Sequence, residues 1–195
     1  MKAFNNYDKT QAYTESNRLP VGGYVLRILN VKIEEGKNGN SDQMVIAFDV
    51  AEGDYAGFYQ KNFNDQTGED KKWKGTTRLW LPKDDGSEKD EWTKRRFKTF
   101  IVNVEDSNNG YHWDWDESKL KGKLVGGIFN EKEWELNGNT GFFTNLHHFT
   151  TIEKVHQNDF KIPETTFLKN RQQNATPMPD GFVDVKAGSP EEIPF

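Results

Sequence analysis

Between residues 24 and 33 the apolar side chains change phase. Tyr24, Leu26 and Ile28 share one parity, and Leu29, Val31 and Ile33 share the other. Strand side chains alternate between two faces, so a regular strand would turn half of this run into solvent. One extra residue at Ile28-Leu29 restores a single buried face, and a β-bulge supplies it while bending the strand. A long, bent first strand is therefore expected over 20–33. Such a strand can serve both halves of a small closed barrel, which restricts the folds open to the chain.

The following elements read in order. Gly36, Lys37, Asn38, Gly39 and Asn40 form a turn cluster. Met44, Ile46, Phe48 and Val50 alternate cleanly as a second strand. Gly53 and Gly57 flank a reversal. A third strand is expected to start over 58–63, break over 64–75 and resume over 76–81. In its second part Thr77, Leu79 and Leu81 share one face, and Arg78 and Trp80 the other. Ser87 is a suitable N-cap for a helix in which Trp92, Phe97, Phe100, Ile101 and Val104 recur at helical spacing. That helix ends in the polar run 106–110. A strand over 123–129 carries Gly126-Gly127, which favours a bend or a close neighbour. Asn137-Gly138 signals a hairpin, and 142–152 is the last strand. Phe48, Phe97, Phe100 and Phe149 are expected in the core.

This order, β-β-β-α-β-β with one helix in an otherwise all-β chain, is that of the OB-fold, a five-stranded partly open barrel. A two-layer α+β sheet of the same order is the alternative. The expected organisation is a flexible polar segment over 1–19, a domain over 20–157, a linker over 158–190 rich in Pro, Gly, Asn and Gln, and a short acidic end.

Composition narrows the function. The chain has no Cys, which excludes disulfides and thiolate metal sites. No run approaches the roughly 18 apolar residues of a membrane span, and no secretory signal opens the chain, so a cytoplasmic protein is expected. The net charge of −5 opposes nucleic-acid binding, but local distribution matters more than the sum. Residues 71–83 contain no acid. Lys71, Lys72, Trp73 and Lys74 lead this stretch, and Arg78 and Trp80 follow.

Interleaved aromatics and cations suit an unpaired strand. Rings stack on exposed base faces at roughly 1–3 kcal/mol per base, while cations follow the phosphates with little sequence preference. An OB-fold binds across strands two and three, between the loop joining strands one and two and the loop joining strands four and five. The candidates there are Lys37 on the first loop, then Tyr59, Lys61, Phe63, Arg78 and Trp80 on strand three. Trp134 and Phe143 flank the last loop, and Lys71 to Lys74 would form a mobile flap. Each aromatic also fits a core position, since parity alone does not assign the concave face, and Trp134 between Glu133 and Glu135 fits core or rim packing best. A carbohydrate- or protein-binding β-domain is the alternative use of such a surface.

Catalysis finds little support. His147 and His148 are adjacent, so in a regular strand they point to opposite faces and cannot share a metal. Asp114, Asp116 and Glu117 read as a solvated acidic connector. No phosphate-loop motif is present. No cofactor, no metal and no enzymatic activity are expected.

The chain ends on Glu191, Glu192, Ile193, Pro194 and Phe195. A terminal carboxylate resists burial, whereas acids before a small apolar hook suit capture by another protein. This ending resembles the tail of bacterial and phage single-stranded DNA-binding proteins, although only Glu191 and Glu192 adjoin the hook, where that family has a longer acidic run. Leu19-Pro20-Val21-Gly22-Gly23-Tyr24 and Glu52-Gly53-Asp54-Tyr55-Ala56-Gly57 look like a phage-encoded branch. The resemblance implies an OB-fold protein that binds single-stranded DNA in replication or recombination and recruits replication and repair proteins through its tail. Many proteins of this class form homo-oligomers, for which the sequence shows no seam.

Overall fold

The computed structural model describes residues 18–168 apart from 38 and 68, together with Asn5 and Tyr7. The rest of the expected N-terminal segment, most of the expected linker and the tail from Glu191 to Phe195 lie outside the described residues.

Five strands, β1 Gly22–Glu34, β2 Gln43–Val50, β3 Thr76–Trp80, β4 Leu124–Leu136 and β5 Asn139–Thr150, form one antiparallel sheet in the order β3-β2-β1-β4-β5. β1 bends as the phase change requires. Its register against β2 shifts between Ile28 and Asn30, leaving Leu29 as the extra residue. Leu26, Ile28 and Val31 consequently all reach the core. The first part of β1 also pairs with β4, from Gly22 opposite Phe129 to Arg27 opposite Leu124, so one strand joins both halves of the sheet. The two edge strands, β3 and β5, share no ladder. The sheet is therefore open, and the ladder that would close the five strands of the expected partly open barrel does not form.

The long helix α2, Glu88–Ser107, starts as its sequence indicates. Ser87 Oγ accepts from the Asp90 N–H at 3.2 Å, and Glu88, Asp90 and Glu91 oppose the positive end of the helix dipole. Phe100, Ile101 and Val104 are buried beneath it, while Phe97 and Phe149 pack at the edge of the core. Asn108 closes it, its Nδ2 donating at 2.7 Å to both Val104 O and Leu124 O.

The expected start of strand three is instead a helix, α1, Phe58–Asp65. Tyr59, Lys61 and Phe63 thus stand on a helix and not on β3. The alternation misleads because Tyr59 and Phe63 are also spaced i, i+4, one face of a helix. The deciding group lies elsewhere in the chain. Gly57 turns the backbone at φ 72° but provides no side-chain cap. The buried Asp49 carboxylate of β2 takes that place. Its Oδ1 accepts from the Val50 and Tyr59 N–H groups at 2.8 Å each, and its Oδ2 accepts from Gln60 at 3.0 Å. Asp49→Ala is expected to cost about 2–3 kcal/mol, because it strands buried donors that a charged acceptor satisfies. Urea denaturation should show it, with Asp49→Asn losing less; an unchanged midpoint would refute this role.

A third helix, α3 Ile152–His156, and the residues after it cover part of the outer surface. A Cβ on Gly126 would lie 2.6 Å from Thr151 O and 2.9 Å from Val155 Cγ2, and one on Gly23 would lie 2.6 Å from the Phe160 ring. The glycines thus admit close neighbours. Thr166 then occupies the edge of β4 beyond its pairing with β1, bonding to Glu131 O and the Glu133 N–H at 2.9 Å each. Residues up to 168 therefore pack on the body, inside the expected linker. At the other end, Leu19 is buried in the core and Arg18 pairs with Glu131 at 2.7 Å, so the body begins before residue 20. Asn137 and Gly138 both take positive φ, 52° and 78°, as a tight I′ hairpin turn requires.

Candidate nucleic-acid interface

The outer face of β3, β2 and the second half of β1 presents cross-strand rows. Opposite residues on antiparallel strands share a face. Trp80 lies opposite Gln43, which lies opposite Glu34; Arg78 lies opposite Val45, which lies opposite Lys32. The inward positions of these strands, Met44, Ile46 and Leu79, are in the core. That inward set forces Arg78 and Trp80 outward. Trp80 is 44% exposed.

Charge on this face is mixed but mostly positive. Glu34 sits between Lys32 and Arg78, with Arg78 Nη2 at 3.6 Å. The hydrogen bond from Lys32, helped by the Arg78 charge, holds the Glu34 carboxyl below its usual range. Lys37 on the β1–β2 loop and Trp80 line one open groove of about 650 Å³, whose wall also includes Glu34 and Glu35. Lys83 Nζ donates to Gly39 O, tying that loop to the chain beyond β3. Lys37 and Trp80 thus line one groove, Arg78 shares the outer face of β3 with Trp80, and Lys32 lies in the Arg78 row. The sequence signal for Lys32 was available: it has the outward parity of the bulged part of β1.

Other candidates fall elsewhere. Tyr59 is a core residue, edge-on to Phe48 at 5.5 Å, with burial pushing its phenol well above the ordinary value. Trp73 is half-buried and its Nε1 donates to Gly75 O at 3.0 Å and Phe48 O at 3.3 Å. It anchors the α1–β3 connection and is not part of a flap face. The connection itself is fastened at Lys72, whose N–H donates to Gln66 Oε1 at 2.9 Å, and at Lys71, whose Nζ donates to Asn64 O at 3.0 Å and lies 5.8 Å over the Phe63 ring. Lys61 is exposed on α1. Trp134 lies across Gly141, where a Cβ would meet its Nε1 at 2.9 Å. Lys74 and Phe143 line a second cavity of about 370 Å³, together with Arg18 and Asn62. Thr76 lines it too, so β3 runs from this cavity to Arg78 and Trp80.

The histidines differ from expectation. The β4–β5 register shifts so that Leu146 faces Phe129 and His148 faces Ile128. This bulge at His147 brings both rings to one side, with Nδ1···Nδ1 at 2.9 Å. No group of three or more His, Asp or Glu placed to hold a metal ion occurs among the described residues. In the acidic connector Lys119 pairs with Asp114 and Asp116, and Asp116 caps a short 3-10 turn at Glu117–Leu120. No helix among the described residues is long and apolar enough to cross a membrane. Comparison with known proteins finds no matching family model and no matching curated sequence.

Proposed function

We propose that this chain is a single-stranded DNA-binding protein of OB-fold type, which holds the strand without turnover and recruits replication and repair proteins through Glu191, Glu192, Ile193, Pro194 and Phe195. One observation carries the reading: an exposed indole, Trp80, stands beside Arg78 and Lys32 on the part of the sheet that α3 and the segment after it leave uncovered. An unpaired strand offers base faces to the ring and phosphates to the cations. The OB assignment is supported by the bulged β1 pairing with both neighbours, by α2 between β3 and β4, and by β3 and β5 lining one cleft under α2. It lacks the closing ladder.

Tryptophan fluorescence titrated with oligo-dT, oligo-dA and duplex DNA tests the reading. Single strands should quench the emission with similar affinity for dT and dA. The three phosphate contacts by Arg78, Lys32 and Lys37 should contribute about −2 to the log–log salt slope. Equal affinity for duplex, or no quenching, overturns the proposal.

A further inference from the structure

The cleft between the free edges of β3 and β5 is unaccounted for by the face just described. It encloses about 340 Å³, within the ~300–1,000 Å³ usual for ligand clefts. Its floor is apolar: Leu79, Phe100 and Leu146 are buried core residues. Its rim carries three cations, Arg78, Arg95 and Arg96, beside the His147–His148 pair, and no Asp or Glu lines it.

The helix contributes an ordered stripe. Trp92, Arg95, Arg96 and Thr99 are spaced i, i+3, i+4, i+7, so they form one face of α2 along the cleft. Trp92 is 55% exposed and stands off the stripe that reaches the core. The Arg96 guanidinium lies 4.7 Å over its ring, and neither Arg95 nor Arg96 forms an ion pair with a described residue. An apolar floor with an exposed indole suits a nucleobase. Unpaired guanidiniums suit a phosphate, which they grip with two parallel hydrogen bonds. The histidine pair shares one hydrogen bond between its Nδ1 atoms, so in the neutral pair the accepting ring carries its own proton on Nε2 and supplies one further donor for an anion.

We infer that this cleft is a second nucleotide subsite, taking a base and a phosphate of the strand that crosses β1, β2 and β3. The inference rests on the proposed single-strand binding. Arg78 links the two sites, being on the outer face of β3 and on the rim of the cleft. The bound strand turns over the edge of β3 and runs along α2.

The test measures binding of dT20 and of a duplex to the full chain. Arg95→Ala/Arg96→Ala should weaken dT20 binding at least tenfold and make the salt slope shallower by about 1.4, two contacts' worth. Trp92→Ala should weaken it about tenfold. Arg95→Lys/Arg96→Lys should restore the slope but not the full affinity, because the planar forks are lost. Lys89→Ala and Lys98→Ala, which remove charge from α2 outside this cleft, should change affinity less than threefold; circular dichroism checks that every variant folds. If the native chain binds no single strand, the functional reading falls and the subsite with it. If it binds dT20 but the arginine and Trp92 variants bind equally well, the subsite alone is wrong. Equal losses on duplex, or losses matched by the Lys89 and Lys98 variants, mean a general cationic surface and also overturn it.

Discussion

Trp80→Ala is expected to weaken dT20 binding by about five- to 150-fold, the equivalent of losing one stacked base at ~1–3 kcal/mol. The effect should be confined to binding. Trp80 is 44% exposed, opposite Gln43, and its neighbour Leu79 supplies the inward contact at that point of β3. The midpoint of thermal unfolding should therefore move little. Trp80→Phe should keep most of the affinity, since a phenyl ring still offers a face to a base. Trp73→Ala makes the opposite case. That ring holds two backbone carbonyls and packs against Phe63 at 5.9 Å, so its loss should appear as stability. Equilibrium titration of the three variants separates these outcomes. Native-like affinity in Trp80→Ala would show that the strand does not use this face.

Phe129→Ala is expected to destabilise the body by about 3–5 kcal/mol, the usual cost of emptying a large aromatic site in a packed core. Phe129 is fully buried, with Tyr24 at 5.6 Å and Phe48 at 6.1 Å, both edge-on. It sits beside the β4–β5 register shift and opposite Gly22 of β1. Three strands therefore meet at its ring, and the backbone there is held by ladders on both sides. Such a site collapses poorly, which puts the cost towards the upper end. For a body of about 150 residues the melting temperature should fall by roughly 10 °C. Calorimetry measures it; a fall of one or two degrees would mean that Phe129 is not the keystone its contacts suggest.

Several elements could be read locally because their determinants are local. Leu29 falls where the apolar phase of β1 breaks. Ser87, the acids after it and the spacing of Phe100, Ile101 and Val104 mark α2, and Asn137-Gly138 marks the hairpin. The α1 helix could not be read in that way. Its N-terminal Tyr59 and Gln60 N–H groups are satisfied by Asp49, ten and eleven residues away on β2, and its apolar spacing fits a strand as well as a helix. The His147–His148 pair escaped for a related reason: a bulge in β5 decides which way His147 points, and the bulge is set by pairing with β4. Arg95 and Arg96 carry no local signal, because the apolar periodicity of α2 marks only its core-facing stripe.

Periodicity and capping were sufficient to specify five strands, the principal helix and an outward Arg78 and Trp80. These depend on neighbours along the chain, where each apolar residue must share a face with the next. What surrounds the tryptophan was settled by folding. Cross-strand pairing set Lys32 and Arg78 in one row, Asp49 converted a strand into a helix, and the separation of β3 from β5 opened a cationic cleft beneath α2. Each of these needs groups distant in sequence to approach within a few ångströms, and such proximity is a property of the packed core.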